Sequence, residues 1–408
     1  MAASRSERVE FSGSGGDLLA ARLDRPLGAP RAFALFAHCF TCSKDFVASS
    51  RVSRGMAERG IAVLRFDFTG IGRSGGDFAN TDFSSNVEDL VRAADFLREH
   101  HEAPALLVGH SLGGAAVLAA AERIPEAAGV AVIGAPADPA HVRGLFAEHT
   151  AEIEARGEAE VELGGRRFRI RRGFLEDLER QSLESRLRNL KKSLLVLHSP
   201  VDTVVGIENA SRVFLAARHP KSFVSLDRAD HLLTRPEDAA WVAELVAGWA
   251  SRLLPPLPQP AARAEQDEVV VQESGAGRFG QHVLAGPHRL VADEPPSVGG
   301  EDGGPTPYGL LLAALGACTS MTLRMYADRK KLPLERVTVR LRHDKIHAKD
   351  CETREGKVDR IERTLTLEGD LDPAQRARLA EIADRCPVHR TLHSEVRIES
   401  RLEEAGSA

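Results

Sequence analysis

Between residues 31 and 249 the chain alternates short apolar runs with longer segments of helical period. Residues 31–37, 61–67, 105–108, 130–134, 193–198 and 222–226 read as strands. Each is a brief, nearly continuous apolar run of the kind a strand buried on both faces requires. Residues 84–101, 115–122, 206–217 and 236–252 read as helices. Such alternation predicts a parallel sheet covered by helices on both sides. One stretch, about 137–192, breaks the rhythm with a high density of charge. Within it, Glu160-Val161-Glu162-Leu163, the pair Gly164-Gly165 and the basic run from Arg166 to Arg172 predict a β-hairpin. Its place between two predicted strands makes the stretch a short cap.

Leu253-Leu254-Pro255-Pro256-Leu257-Pro258-Gln259-Pro260 then reads as a semi-rigid linker, 253–267. Beyond it the pattern changes. Residues 269–271, 281–284, 337–343, 361–367 and 395–402 predict strands, and residues 308–331 and 373–385 predict helices. Segregated strands and helices mean an α+β unit. The expected organisation is an α/β domain over 1–252, the linker over 253–267 and a smaller α+β domain over 268–408.

Composition narrows the picture. At 408 residues the chain is long enough for more than one domain, and its 43% hydrophobic content and formal charge of −5 are ordinary for a soluble protein. The basic run at 166–172 belongs to the hairpin, so no nucleic-acid partner is expected. Residues 1–10 hold no apolar leader, and no stretch approaches the 18 uninterrupted apolar residues of a membrane span. The expectation is a cytoplasmic protein with no membrane partner. Its five cysteines are few and unevenly spread, unlike a secreted disulfide framework.

The candidate chemistry begins at Gly109-His110-Ser111-Leu112-Gly113, between an apolar run and an Ala-rich helical segment. A serine at the apex of a sharp strand-to-helix turn is exposed at the end of a parallel sheet. A nucleophilic serine needs a base, and the base needs an orienting carboxylate. Asp202 follows the strand at 193–198, and His231 follows the strand at 222–226. Serine, acid, histidine is the order that this turn demands. Ser111 is therefore the expected nucleophile, His231 the base and Asp202 the orienter. The developing oxyanion needs backbone donors. The N–H of Leu112 is one. The N–H of Phe40, in the loop His38-Cys39-Phe40-Thr41, is the other. His38 reads as a loop-shaping residue.

These parts, with Phe68-Thr69-Gly70-Ile71-Gly72-Arg73-Ser74 after the strand at 61–67, resemble the α/β-hydrolase family over roughly 8–252. The resemblance implies a doubly wound, mostly parallel sheet and attack by serine on a carboxylic ester or thioester, with no metal or organic cofactor. Cys39 departs from the family, which often has glycine there. Cys39 and Cys42 form a C-x-x-C inside the oxyanion loop. They read either as two packed cysteines or as a redox gate, in which oxidation would distort the loop that carries the Phe40 N–H.

The second part holds Cys318, midway along the apolar helix, and Cys386, just before Pro387. If Pro387 opens a new turn, Cys386 lies close to an N-cap, which favours thiolate. With Gly304-Pro305-Thr306-Pro307 and the Gly-Ala-Cys helix, these residues resemble the osmotically induced, organic-hydroperoxide-resistance (OsmC/Ohr) family over roughly 268–403. The resemblance implies a peroxidatic Cys318, a resolving Cys386, an organic hydroperoxide as substrate, an external thiol reductant, and homodimerisation through this half. Peroxidases of that family carry a glutamate early in the cysteine helix. Here residues 305–327 hold no acid, and Tyr308 stands where the glutamate is sought. Arg278 and Arg289 are the candidate thiolate-activating arginines. The alternative is a non-catalytic dimerisation or apolar-ligand-binding module. His343, His347 and Cys351 are spaced by four, but a strand does not bring such positions together, so no metal site is expected.

Overall fold

The buried runs of the first part become the centre of one eight-stranded sheet. The computed structural model describes residues 4–40, 42–163, 165–256, 264–265, 267–275, 277–347 and 357–402. In chain order the strands are β1 (Ser4–Ser12), β2 (Leu18–Pro26), β3 (Ala32–Ala37), β4 (Ile61–Phe66), β5 (Pro104–His110), β6 (Gly129–Ile133), the separate antiparallel pair β7 (Glu158–Leu163) and β8 (Arg166–Arg171), β9 (Ser193–His198) and β10 (Lys221–Ser225). The sheet runs β1-β2-β4-β3-β5-β6-β9-β10. It is parallel from β4 to β10 and antiparallel at the β1 and β2 edge. This is the doubly wound, mostly parallel α/β-hydrolase sheet. The β1 and β2 pair has no counterpart in the strands expected from the sequence. β1 is too polar to read as a buried run and gains its structure by pairing with β2.

The helices are α1 (Val47–Ala57), α2 (Phe83–His100), α3 (Leu112–Ala120), α4 (Thr150–Arg156), α5 (Arg172–Arg180), α6 (Leu183–Arg188), α7 (Glu208–Ala216) and α8 (Pro236–Ala250). Successive side chains on a strand face opposite ways, so one sheet builds two cores. Phe33, Leu35 and Ala37 of β3 enter a core with α2 and α3, whereas Ala32, Ala34 and Phe36 enter another with α1 and α8. α2 starts with a capping box, in which Asp82 accepts from the Ser85 N–H and the Ser85 hydroxyl accepts from the Asp82 N–H. Between β6 and β9 the chain forms short turns, α4, the β7–β8 hairpin, α5 and α6, the short cap.

Two compact units divide the chain around residue 263. The second carries β11 (Val269–Glu273), β12 (Gln281–Ala285) and β13 (His288–Ala292) as one antiparallel sheet. It continues with α9 (Pro307–Lys330), the antiparallel pair β14 (Arg336–His347) and β15 (Lys357–Glu368), α10 (Pro373–Ala383) and α11 (Pro387–His393). This is an α+β arrangement of small antiparallel sheets and helices. Its buried cluster is small: Leu323, Ala327, Leu334, Leu371, Leu379, Ile382 and Ala383. α9 is long and apolar enough to cross a membrane by length and composition alone. It also packs on β14 and α10, and Arg324 donates to the carbonyls of Leu334 and Glu335.

One expected element does not form. Residues 395–402 are not a strand. Val396, Ile398 and Leu402 alternate as a strand should, but they are exposed, and no described strand edge pairs with them. A lone strand leaves its backbone groups to water and is not stable by itself. Part of the linker, residues 257–263 and 266, lies outside the described residues.

Candidate active site

The strand β5 ends at His110 and α3 begins at Leu112, so Ser111 alone makes the turn. It does so at φ 55° and ψ −126°. Such a conformation persists in a non-glycine residue only where its surroundings enforce it. The enforcement is close packing. A Cβ on Gly113 would run into the carbonyls of Ala37 and His38, and one on Gly109 would run into the backbone of Gly113 and Gly114. The Ser111 N–H is held by the Ile133 carbonyl at 2.8 Å.

Ser111 Oγ lies 2.9 Å from His231 Nε2, and His231 Nδ1 lies 2.7 Å from Asp202 Oδ2. The other carboxylate oxygen accepts from the N–H groups of Val204 and Val205, each at 2.9 Å. Burial pushes the Asp202 carboxyl up. The His231 hydrogen bond and the two backbone donors outweigh this and hold it below the usual carboxylate range. Asp202 thus stays ionised and presents an acceptor to His231 Nδ1–H. Residues 111, 202 and 231 come together from the ends of β5, β9 and β10, as parallel topology requires.

Two further histidines join this group, and sequence reasoning passed over both. His110 Nε2 donates to the His231 carbonyl at 2.6 Å, tying the loop that carries His231 to the end of β5. Burial, then the neighbouring His231, lowers the His110 pKa from 6.5 to about 4. The ring is therefore neutral near pH 7. His198 Nε2 donates to the Val205 carbonyl at 2.7 Å and lies 3.7 Å from Asp202 Oδ2. It steadies the turn that supplies the Asp202 donors.

The loop after β3 carries His38, Cys39, Phe40 and Cys42. Cys39 and Cys42 are joined as a disulfide, with their Cα atoms 5.2 Å apart. Phe40 is buried with its ring near those of Phe78 (5.5 Å) and Phe174 (5.6 Å). The loop ends in a buried ion pair: Lys44 Nζ donates to Asp67 Oδ2 at 2.7 Å, and the Lys44 N–H donates to Asp67 Oδ1 at 2.6 Å. Arg65 donates to the Lys44 carbonyl and, at 2.6 Å, to Asp24. Leu112, first in α3, has an N–H outside the helix ladder and aligned with the positive helix end.

In the second unit Cys318 is half-buried on α9 and Cys386 is buried, both as thiols. Pro387 does open a helix, and Cys386 is its N-cap. Cys386 Sγ accepts from the His389 N–H at 3.3 Å and lies 3.6 Å from Thr319 Oγ1. The Thr319 proton goes to the Leu315 carbonyl at 2.8 Å, so in the Thr319 pair Cys386 S–H is the donor. Arg363, not singled out from the sequence, donates to Thr319 Oγ1 at 3.1 Å and to Asp384 at 2.5 Å. Arg278 lies over the Phe279 ring, and Arg289 is on β13. Tyr308 stacks on His343 at 4.3 Å, and His343 bonds Asp359 at 2.7 Å. Cys351 lies outside the described residues.

Residues 28–157 match the family model described as serine aminopeptidase, S33, and residues 300–401 match that of OsmC-like protein. The esterase domain of a Rhodothermus marinus protein is 54% identical, with TM-score 0.51, over 61% of this chain and 98% of that chain. The mouse α/β-hydrolase domain-containing protein 10, at 23% identity and TM-score 0.52 over 60% of this chain and 99% of its own, shares the fold. A monoacylglycerol lipase of Mycolicibacterium smegmatis is 30% identical over 143 residues, 35% of this chain and 50% of its own length. The mitochondrial palmitoyl-protein thioesterase of Mus musculus is 30% identical over 161 residues, 38% of this chain and 53% of its own length. The chain thus spans about half the length of these curated relatives.

Proposed function

Since the chain belongs to the α/β-hydrolase family in its first part and carries an OsmC-like domain behind it, we propose that the first unit is a serine hydrolase of carboxylic esters or thioesters. Ser111 attacks the carbonyl carbon while His231 Nε2 takes its proton. Asp202 holds the imidazole in the tautomer this needs and stabilises the imidazolium. The N–H groups of Leu112 and Phe40 receive the oxyanion. His231 returns the proton to the leaving alcohol or thiol, and water then releases the acyl group by the same route. The observation that carries this reading is the unbroken hydrogen-bonded line from Ser111 Oγ to His231 to Asp202, at 2.9 and 2.7 Å. The R. marinus esterase domain and the palmitoyl-protein thioesterase make esters and thioesters the substrates to try first. The test is labelling with a fluorophosphonate probe. Wild type should label, Ser111→Ala should not, and Asp202→Asn should lose about 10⁴ in kcat. An unlabelled wild type overturns the assignment.

For the second unit the proposal is reduction of organic hydroperoxides. The Cys318 thiolate attacks the peroxide oxygen, the O–O bond breaks, and an alcohol leaves once protonated. The resulting sulfenic acid condenses with the Cys386 thiol to a disulfide and water, which an external thiol reductant returns to two thiols. The absence of an acid from 305–327 and the engagement of Tyr308 with His343 favour the rival reading, a non-catalytic dimerisation or apolar-ligand module. Peroxide titration of the thiols separates them. A peroxidase consumes hydroperoxide and loses this in Cys318→Ser, and a binding module consumes none.

A further inference from the structure

A small cavity lies beside the serine turn, walled by His38, Phe40, Phe68, Phe83, Asn86 and Leu112. Its free volume, about 10 Å³, admits one water-sized group. The walls are mostly aromatic and aliphatic, and two buried polar side chains interrupt them. His38 is 1% exposed. Its Nδ1 lies 2.7 Å from the Cys39 carbonyl, which only accepts, so Nδ1 carries the proton. Burial lowers the His38 pKa, leaving the ring neutral. Nε2, on the opposite side of the ring, is then a bare lone pair, and it has no partner among the described residues. Asn86 is 6% exposed. Its carboxamide makes no hydrogen bond among the described residues.

The buried His38 acceptor left unpaired is costly, and a ligand that pairs it, and adds a bond to the Asn86 amide, recovers that cost. The chemistry selects the ligand. Nε2 needs a donor, so a carboxylate is repelled there. An ammonium would lose its hydration among phenyl rings. A methyl group fits the volume and leaves both polar groups unpaired. A neutral O–H donates to His38 Nε2 and accepts from the Asn86 amide. Leu112 follows Ser111 in the chain, and Leu112 and Phe40 carry the two proposed oxyanion donors, so a group that reaches this cavity lies on the acyl side of the substrate.

We propose that this cavity is an acyl subsite for a neutral hydroxyl group, read by His38 Nε2 and Asn86, and that the enzyme prefers short hydroxyacyl over alkyl esters and thioesters. The proposal rests on the serine-hydrolase reading above. The same O–H chemistry is available from a single water, and the experiment separates the two sources. The kcat/KM values of 3-hydroxybutyryl and butyryl N-acetylcysteamine thioesters are compared on wild type, Asn86→Leu and Asn86→Ala. Wild type should favour the hydroxyl by about tenfold or more, because a site built to bond a hydroxyl rejects its absence. Both variants should lose that preference. Their labelling by fluorophosphonate reports that the serine turn is still assembled. A wild type without preference means a water site only and overturns the proposal, as does a preference that survives in both variants. A wild type that turns over neither thioester and does not label overturns the hydrolase reading itself, a result distinct from either.

Discussion

His110 has two partners of consequence, its own chain neighbour Ser111 and the carbonyl of His231, 121 positions away. Its position next to Ser111 was legible in the sequence. Its bond to the His231 loop was not, because nothing in a linear pattern reports a contact made across three crossovers. The same holds for Lys44 and Arg363, which bond Asp67 and the Thr319 and Asp384 side chains of other elements. Ser111, Asp202 and His231 were readable for a different reason: each follows an apolar run, and parallel topology gathers the ends of such runs. His110 also makes a pH prediction. Its pKa is about 4 in the folded protein against 6.5 for the free side chain. Above 6.5 both states are neutral there, and its contribution is fully present. As pH falls from 6.5 to 4 the unfolded chain takes up the proton first, so stability falls by up to about 3 kcal/mol, and below 4 the loss is complete. His110→Gln keeps a donor for the His231 carbonyl and removes the titration. Urea unfolding followed by Trp241 and Trp249, both on α8, should show a shallower loss between pH 6.5 and 4 in the variant. His38 and His101, also lowered by burial, retain the remainder. Identical pH slopes for the two proteins would refute this role.

Among the elements, the loop from His38 to Lys44 was the hardest to read. The sequence showed a C-x-x-C and left open whether it was packing or a gate. In the structure the disulfide spans Phe40, and Cys42 N–H donates to the Cys39 carbonyl at 3.1 Å. At its far end Lys44 is clamped by Asp67. The loop that carries the proposed Phe40 donor is thus closed at both ends in its oxidised form. We therefore propose the sign opposite to that expected from the sequence, with the disulfide holding the donor in place. Reduction should lower kcat by as much as about a hundredfold, the effect of one misplaced oxyanion donor, with KM little changed. Both sulfurs are buried, so dithiothreitol treatment is best accompanied by the Cys39→Ser/Cys42→Ser double variant. Equal kcat for the oxidised, reduced and double-serine proteins would remove the gate. Elements with strong internal patterns, such as β5, β9 and α8, were legible. β1, whose alternation is overlaid with charge, and the strand expected at 395–402, which lacks a partner, were not.

Across the whole molecule the two units are unequally finished. The first buries two large clusters, one on each face of its sheet. The second buries a handful of side chains. It leaves Tyr308, Leu311, Met321 and Met325 exposed on α9, with Met325 at 72%. It also leaves Val396 and Ile398 exposed, on a segment patterned as a strand that pairs with no described strand. The sequence displayed both patterns, yet one chain cannot show that they are left over, because that depends on what the rest of the unit covers. Apolar surface on this scale seeks cover. A second copy supplies it symmetrically: a twofold contact lets each chain cover its partner's helix face with the same patch, and the unpaired segment at 395–402 can join an edge of the partner. We therefore propose a homodimer built through the second unit. In detergent-free buffer the full chain should sediment at twice its monomer mass. Met321→Glu/Met325→Glu should sediment as a monomer that still labels with fluorophosphonate, because the serine site lies in the first unit. A wild-type monomer refutes the dimer. If that monomer also floats with lipid vesicles, the exposed face of α9 meets a bilayer instead.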